Sequence, residues 1–148
     1  MKKTILLFVS FITMVSCSDS KPKKSAEELK KEIIATEKAF EAYCKQHGIA
    51  NGFYEFADSS AVIKLKNDSM LNGRTSIKNH FDKTVSKNAT VTWNADFVGV
   101  SEDGTLAYSY GKYIWTVTDS LGKKQDFNGV FHTVWKRQKD GSWKYVWD

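Results

Sequence analysis

Asp58 and His132 are of residue types that can transfer protons. A carboxylate and an imidazole can act as general base and general acid when both reach one reacting group. In the run FHTVW (residues 131–135), strand alternation places His132 on one face with Val130 and Val134. His132 can therefore move a proton or orient a ligand if that face is concave. The alternative is a partly buried histidine whose hydrogen bonds are satisfied.

Asp58 has an equally plain structural explanation. It lies in the run FADSS (residues 56–60), where a helix is predicted to give way to a strand. An aspartate at such a corner is typical of a turn, because its carboxylate accepts a hydrogen bond from the backbone two residues ahead. Asp96 and Asp126 could supply a second acid, although both fall at strand positions that are expected to be solvated.

The remaining metal-ligating and nucleophilic residues form no recognisable motif. His47, His80 and His132 match no metal-binding spacing, and the sequence has no Gly-rich phosphate loop and no nucleophile elbow. Cys44 falls on the apolar stripe of a predicted helix, a position typical of inert packing. We therefore expect no metal and no cofactor.

The N-terminal segment has the pattern of an export signal. Lys2 and Lys3 precede an apolar stretch over residues 5–15, which is shorter than the roughly 20 residues of a membrane-spanning helix. The run MVSC (residues 14–17) resembles the bacterial lipobox, which implies that Cys17 carries lipid.

The lipobox resemblance also implies a location and a division of the chain. We expect a signal peptide over residues 1–16, a lipidated tether over 17–25 and one domain over 26–148. More than one acyl chain gives stable anchoring, so a location in the bacterial cell envelope is predicted, on the periplasmic or outer-surface side.

Composition limits the classes of partner. With 41% hydrophobic and 14% aromatic residues, the chain has enough apolar surface for one folded domain. The net charge of +5 is spread without a basic stripe, so a nucleic-acid partner is not expected. If Cys17 carries lipid, Cys44 has no disulfide partner and the core alone must hold the domain together.

The periodicity predicts helices first and strands afterwards. Ser25 and Glu28 have capping-box spacing, and the helix that they begin ends at Gly48. A second short helix over 49–57, a turn at 58–60, a small hairpin ending near Asn72 and a third helix opening at 73–76 follow. Alternating, turn-bounded runs then predict strands over residues 90–100, 105–118, 123–138 and 142–148.

The long strands cannot stay flat. At about 3.3 Å per residue they would reach about 45 Å, and sheets of that length twist and bend. Gly111 and Gly129 lie inside them, where glycine commonly marks a bulge or a bend. The pattern therefore predicts an α+β fold in which helices cover one face of a curved antiparallel sheet and a cone-shaped space lies between.

Several phrases of the chain resemble the nuclear transport factor 2-like superfamily, also called SnoaL-like or cystatin-like. They are FADSSAV (56–62), LNGRTSI (71–77), DGTLAYSYG (103–111) and VWKRQKDGSWK (134–144), and the last two resemble the branch of calcium/calmodulin kinase association domains. The resemblance covers residues 26–148. It implies a cystatin-like α+β cone with N-terminal helices packed on a strongly bent antiparallel sheet.

The resemblance leaves the function open, because this superfamily includes isomerases, dehydratases, cyclases, transport adaptors and binding domains. In its ketosteroid-isomerase-like enzymes an acid near the first strand is the base, which implies that role for Asp58. His132 would then be the acid of an isomerase- or dehydratase-like reaction.

Aromatic side chains dominate the predicted strands, and alternation places about half of them on the concave face. We expect five residues to line a ligand pocket: Tyr54, Trp93, Tyr110, His132 and Trp135. Whether the rings leave a hollow or fill the cone stays open at this point. Tyr113 and Trp115 would suit the outer face, which in this superfamily commonly packs against a second copy.

These observations favour a lipid-anchored domain that binds a small apolar or amphipathic molecule, as a homodimer. The alternatives are the enzyme based on Asp58 and His132 and a dimeric protein-interaction module.

Overall fold

The computed structural model describes residues 24–85 and 87–148. The predicted signal peptide, the lipid site at Cys17 and most of the tether lie outside the described residues. The described residues form α1 (Ala26–His47), α2 (Ile49–Phe56), β1 (Ala57–Lys64), β2 (Met70–Asn72), α3 (Arg74–Thr84), β3 (Ala89–Val100), β4 (Leu106–Thr118), β5 (Lys124–Arg137) and β6 (Trp143–Trp147).

Helix α1 begins and ends where its sequence predicts. The backbone N–H of Ser25 donates to the Glu28 carboxylate at 2.7 Å, and the Glu28 N–H donates back to the Ser25 hydroxyl at 3.2 Å. Gly48, at φ 88°, ends the helix, and its N–H donates to the Cys44 carbonyl at 2.9 Å. A positive φ at this position favours glycine, because it has no Cβ to clash.

The strands form one bent, unclosed sheet in the order β2-β1-β6-β5-β4-β3 within the described residues. Neighbouring strands are antiparallel, except that β6 runs parallel to β1. The predicted α+β class and the cone architecture are confirmed. The parallel pair was not expected, and it brings the last residues of the sequence beside the first strand.

The predicted turn at residues 58–60 is wrong, because these residues belong to β1. The strand begins at Ala57, and its register against β6 shifts between Ala57 and Val62. Asp58 still makes the local contact that suggested a turn, accepting a hydrogen bond from the Ser60 N–H at 3.0 Å. The local contact thus accompanies an irregular stretch of strand instead of a chain reversal.

Of the two glycines predicted to bend the sheet, only Gly111 lies at an irregularity of strand pairing. The register between β3 and β4 shifts between Ala95 and Phe97, and Gly111 lies opposite. A Cβ at Gly111 would lie 1.9 Å from the Asn94 carbonyl oxygen, so only glycine allows this approach. Gly129 is different: its register with Tyr113 is unbroken, and the Tyr113 ring occupies the space that a side chain would fill.

The concave face of the sheet packs on the helices around Phe40. Its ring lies within 5.0 Å of the rings of Phe53, Phe56 and Trp93. Trp135 and Tyr145 lie just beyond and are fully buried. This cluster fills one end of the cone. Within the described residues no helix is both long and apolar enough to cross a membrane.

Candidate functional site

A cavity of about 830 Å³ lies between the concave face of the sheet and the helices. Its walls come from α1, α2 and α3 on one side and from β1, β3, β4, β5 and β6 on the other. The cone is therefore hollow at this end. Aromatic rings supply much of the lining: Phe40, Phe53, Phe81, Trp93, Trp115 and Phe127.

Asp148 places a carboxyl group on this cavity. Main-chain hydrogen bonds fix its position, because the Asp148 N–H donates to the Val62 carbonyl at 3.1 Å and its carbonyl accepts from the Lys64 N–H at 2.9 Å. Its carboxyl makes no hydrogen bond or ion pair with any described residue. Burial raises the pKa of Asp148 to about 7, and the negative charge of Glu37 adds to that rise.

Glu37 is the second acid of the cavity, and in contrast it is fully hydrogen-bonded. The Trp93 indole N–H donates to one carboxylate oxygen at 2.7 Å. The Ser109 hydroxyl and the Trp135 indole N–H donate to the other, at 2.5 Å and 3.1 Å. Burial raises the pKa of Glu37 above its ordinary range, and these donors oppose that rise. The contacts tie α1 to β3, β4 and β5.

Neither acid was among the residues expected from the sequence. Glu37 had a signal, since it stands on the apolar stripe of α1 between Ile33 and Phe40, and a charged residue there must find partners. Asp148 had none. It reaches the cavity because β6 lies between β1 and β5, a pairing that no local pattern encodes.

Two of the expected pocket residues border the cavity: Trp93 and His132. Trp93 does so with its ring, which packs against Phe40. The imidazole of His132 lies 6.1 Å from the Tyr108 ring, and both belong to the outward-facing positions of the sheet. The condition that the His132 face be concave is therefore not met, and only its strand position borders the cavity.

Asp58 lies outside the cavity. Its carboxylate accepts hydrogen bonds from Ser60 and from the Gln138 amide at 3.1 Å, and Lys136 lies 3.9 Å away. The Ser60 N–H is the largest cause of a lowered pKa at Asp58. The structure does not bring Asp58 and His132 together at one cavity, and the lowered pKa favours a structural carboxylate over a base matched to neutral pH.

The other expected pocket residues lie elsewhere for separate reasons. Tyr54 packs beneath the Arg74 guanidinium, 4.7 Å from its ring centre. Tyr110 stacks on Phe97 at 5.3 Å on the outer face of the sheet. Trp135 faces inward but is fully buried in the core, where its N–H serves Glu37.

The assignment of Tyr113 and Trp115 to the outer face is also corrected, because both line the cavity. They share a strand face with Ser109, which pairs with Thr133, and that face is the concave one. The other acids that were considered, Asp96 and Asp126, are exposed. Among the described residues no group of His, Cys, Asp and Glu side chains could hold a metal ion.

Comparisons with known proteins agree on the architecture. No protein-family model and no curated protein matches this chain. An NTF2-like protein with a cystatin-like fold from Novosphingobium aromaticivorans matches with a TM-score of 0.67 and 16% identity, covering 82% of this chain and 79% of that one. The association domain of C. elegans CaMKII matches with a TM-score of 0.64 and 15% identity, covering 82% and 94%.

A third structure is a ketosteroid isomerase-like protein from Erwinia carotovora atroseptica, with a TM-score of 0.62 and 11% identity, covering 78% of this chain and 89% of that one. The resemblance that the sequence phrases carried is thus confirmed at the level of the fold, while function depends on the site. The chain has the nuclear transport factor 2-like fold, an α+β cone with a cystatin-like sheet.

Proposed function

We propose that this protein binds a small apolar or amphipathic molecule inside the cone. The observation that carries the proposal is the cavity of about 830 Å³ with aromatic walls. Small-molecule sites are typically hollows of about 300–1,000 Å³ that combine apolar walls with a few polar groups. Glu37 and Asp148 supply such polar groups here.

The aromatic walls are held firmly enough to act as a preformed site. Trp93 is held by its hydrogen bond to Glu37 and by the Phe40 ring. The Phe81 ring is tilted against the rings of Phe53 and Trp115, with centroids 4.6 Å and 6.4 Å away. A pocket that needs little rearrangement loses little conformational entropy when a ligand enters. Catalysis by Asp58 and His132 gains no support from this geometry, since they share no cavity.

A second candidate function is association with a second copy through the outer face of the sheet. This face exposes large apolar side chains on adjacent strands: Phe97, Leu106, Tyr108, Tyr110, Ile114 and Val130. Contiguous exposed apolar surface of this kind commonly marks an interaction site. The stacked pair of Phe97 and Tyr110 gives the face a rigid centre.

We further propose that the domain works at a bacterial membrane surface, tethered by lipid on Cys17. The support is the lipobox-like run that ends at Cys17 and the basic and apolar residues before it. The cone would then sit within a short tether's reach of the bilayer, where apolar and amphipathic molecules concentrate.

Filling the cavity tests ligand binding. Val117 lines the cavity, so Val117→Phe is expected to weaken one-to-one binding of the neutral fluorescent probe N-phenyl-1-naphthylamine by at least about tenfold, measured by fluorescence titration of the full chain. Leu121→Phe is the matched control, because Leu121 is 92% exposed in a hairpin turn, and it is expected to bind within twofold of the parent. Circular dichroism checks that both variants fold. Equal binding by the two folded variants would contradict the proposal.

A charge on the outer face tests self-association. Ile114→Lys places an ammonium on the apolar face and is expected to raise the dimer dissociation constant by at least about tenfold in sedimentation equilibrium. Leu121→Lys introduces the same charge at an exposed apolar residue away from the face and is expected to leave the dimer intact. A parent protein that stays monomeric at every concentration would refute this candidate function.

Acylation tests the tether. In bacteria fed labelled palmitate, the parent chain is expected to carry label and to fractionate with membranes, and Cys17→Ser is expected to lose both. Cys44→Ser is the control, because Cys44 is buried and its pKa is raised to about 12, which makes its thiol unreactive. Label retained in Cys17→Ser would show that the lipid is attached elsewhere, and an unlabelled parent chain would refute the tether.

A further inference from the structure

The cavity holds one carboxyl group that the fold leaves without a partner. Asp148 is fixed through its main chain, yet its side chain receives no hydrogen bond from any described residue. No Lys, Arg or His of the described chain lies within 4 Å of it as an ion pair. Asp148 is partly buried among largely apolar walls, where an unpaired carboxylate is costly, so a ligand that brings a complementary group would be favoured there.

The other polar groups of the cavity cannot supply that partner. Glu37 is an acceptor already occupied by Trp93, Ser109 and Trp135. Lys64 pairs with Asp68 at 2.5 Å, and Lys66 lies over the Phe127 ring at 6.0 Å. No polar side chain of this lining hydrogen-bonds to Asp148 within the described residues, so its carboxylate is an acceptor without a partner, and the ligand group that matches it is a donor.

The walls beside Asp148 favour a donor that carries positive charge. Trp147 precedes it directly and also lines the cavity, together with Trp93 and Trp115. The faces of aromatic rings attract organic cations, tryptophan most strongly, and the attraction grows when the site excludes water. A carboxylate surrounded by such rings combines both sources of attraction for an ammonium group.

We propose that the ligand of the cone is an apolar amine, whose ammonium group pairs with the Asp148 carboxylate while its hydrocarbon part packs against the aromatic walls. This inference rests on the proposed ligand-binding function and names the chemical class of the ligand. It requires a single cationic head and an aromatic or aliphatic body small enough for the cavity.

The proposal has a defined dependence on pH. Burial raises the pKa of Asp148 to about 7, so in the empty protein the carboxyl is mostly neutral at pH 6 and mostly ionised at pH 8. An ammonium pairs with the ionised form, so its binding releases a proton and strengthens as pH rises. For one such group, affinity is expected to rise about tenfold between pH 6 and pH 8.

Other titratable groups surround Asp148 and are part of this expectation. Glu37 and Cys44 face it from α1 and Tyr145 from β6, while Lys64, Lys66, His80 and His132 border the same cavity. Burial raises the pKa values of Cys44 and Tyr145, so both stay neutral over this pH range. The pH profile must therefore be compared with that of a variant lacking the Asp148 carboxylate.

Calorimetric titration of the full chain with matched ligands tests the inference. 2-(1-Naphthyl)ethylamine and 2-(1-naphthyl)ethanol share ring and chain length and differ in the charged head. At pH 8 the amine is expected to bind at least about tenfold more tightly than the alcohol. Asp148→Asn is expected to remove this preference and the rise with pH, while its circular dichroism spectrum stays that of the parent. Asp126→Asn, on an exposed strand position, is the control and is expected to behave like the parent.

The possible results separate the two proposals. Equal binding of amine and alcohol would overturn the amine inference and leave ligand binding intact. Absence of binding by both compounds and by N-phenyl-1-naphthylamine would overturn ligand binding itself. An amine preference that survives in Asp148→Asn would show that another group holds the cation, and it would also overturn the inference. Circular dichroism checks that Asp148→Asn is folded.

Discussion

The carboxylate of Glu37 is the contact on which the position of α1 against the sheet depends. It accepts hydrogen bonds from Trp93 on β3, Ser109 on β4 and Trp135 on β5. Buried indole N–H groups need acceptors, and an unpaired one costs about 1–3 kcal/mol. Sliding α1 along the sheet would break all of these bonds together. One side chain of the helix thus fixes its register and holds the Trp93 ring at the cavity wall.

The hollow follows from where the large side chains sit along the cone. On one side of Phe40 its ring packs against Trp135 and Tyr145, which are fully buried. Beyond the bend at Gly111, aromatic side chains of β4 and β5 line the cavity opposite α3. The same aromatic composition therefore builds a solid core at one end and a lined cavity at the other.

Local chemistry made much of the fold predictable. The capping box at Ser25, the helix stop at Gly48 and the strand periodicity after residue 89 all act over a few residues, and each gave its element nearly correct bounds. Alternation also sorted the strand residues into two faces. Alternation does not indicate which of the two faces is concave. For this reason Tyr110 is predicted in the pocket and Trp115 on the outer face, and the structure shows the reverse.

The site was less predictable, because its polar groups are brought together over long distances in the chain. Trp135 is predicted to line the pocket, but it lies fully buried in the core and does not border the cavity. Asp148 meets the cavity only through the parallel pairing of β6 with β1. The family resemblance implies a catalytic role for Asp58, but its hydrogen bonds with Ser60 and Gln138 hold its carboxylate outside the cavity.

Ligand binding in the cone depends on a largely apolar hollow in which the Asp148 carboxyl is partly buried and has no partner among the described residues. The most direct test is NMR titration of its side-chain carboxyl carbon in the unliganded full chain, with the signal assigned by its loss in Asp148→Asn. A midpoint at about pH 7 is predicted, because burial and the charge of Glu37 both disfavour the ionised form. A midpoint at about pH 4, the ordinary value of a solvated aspartate, would contradict it.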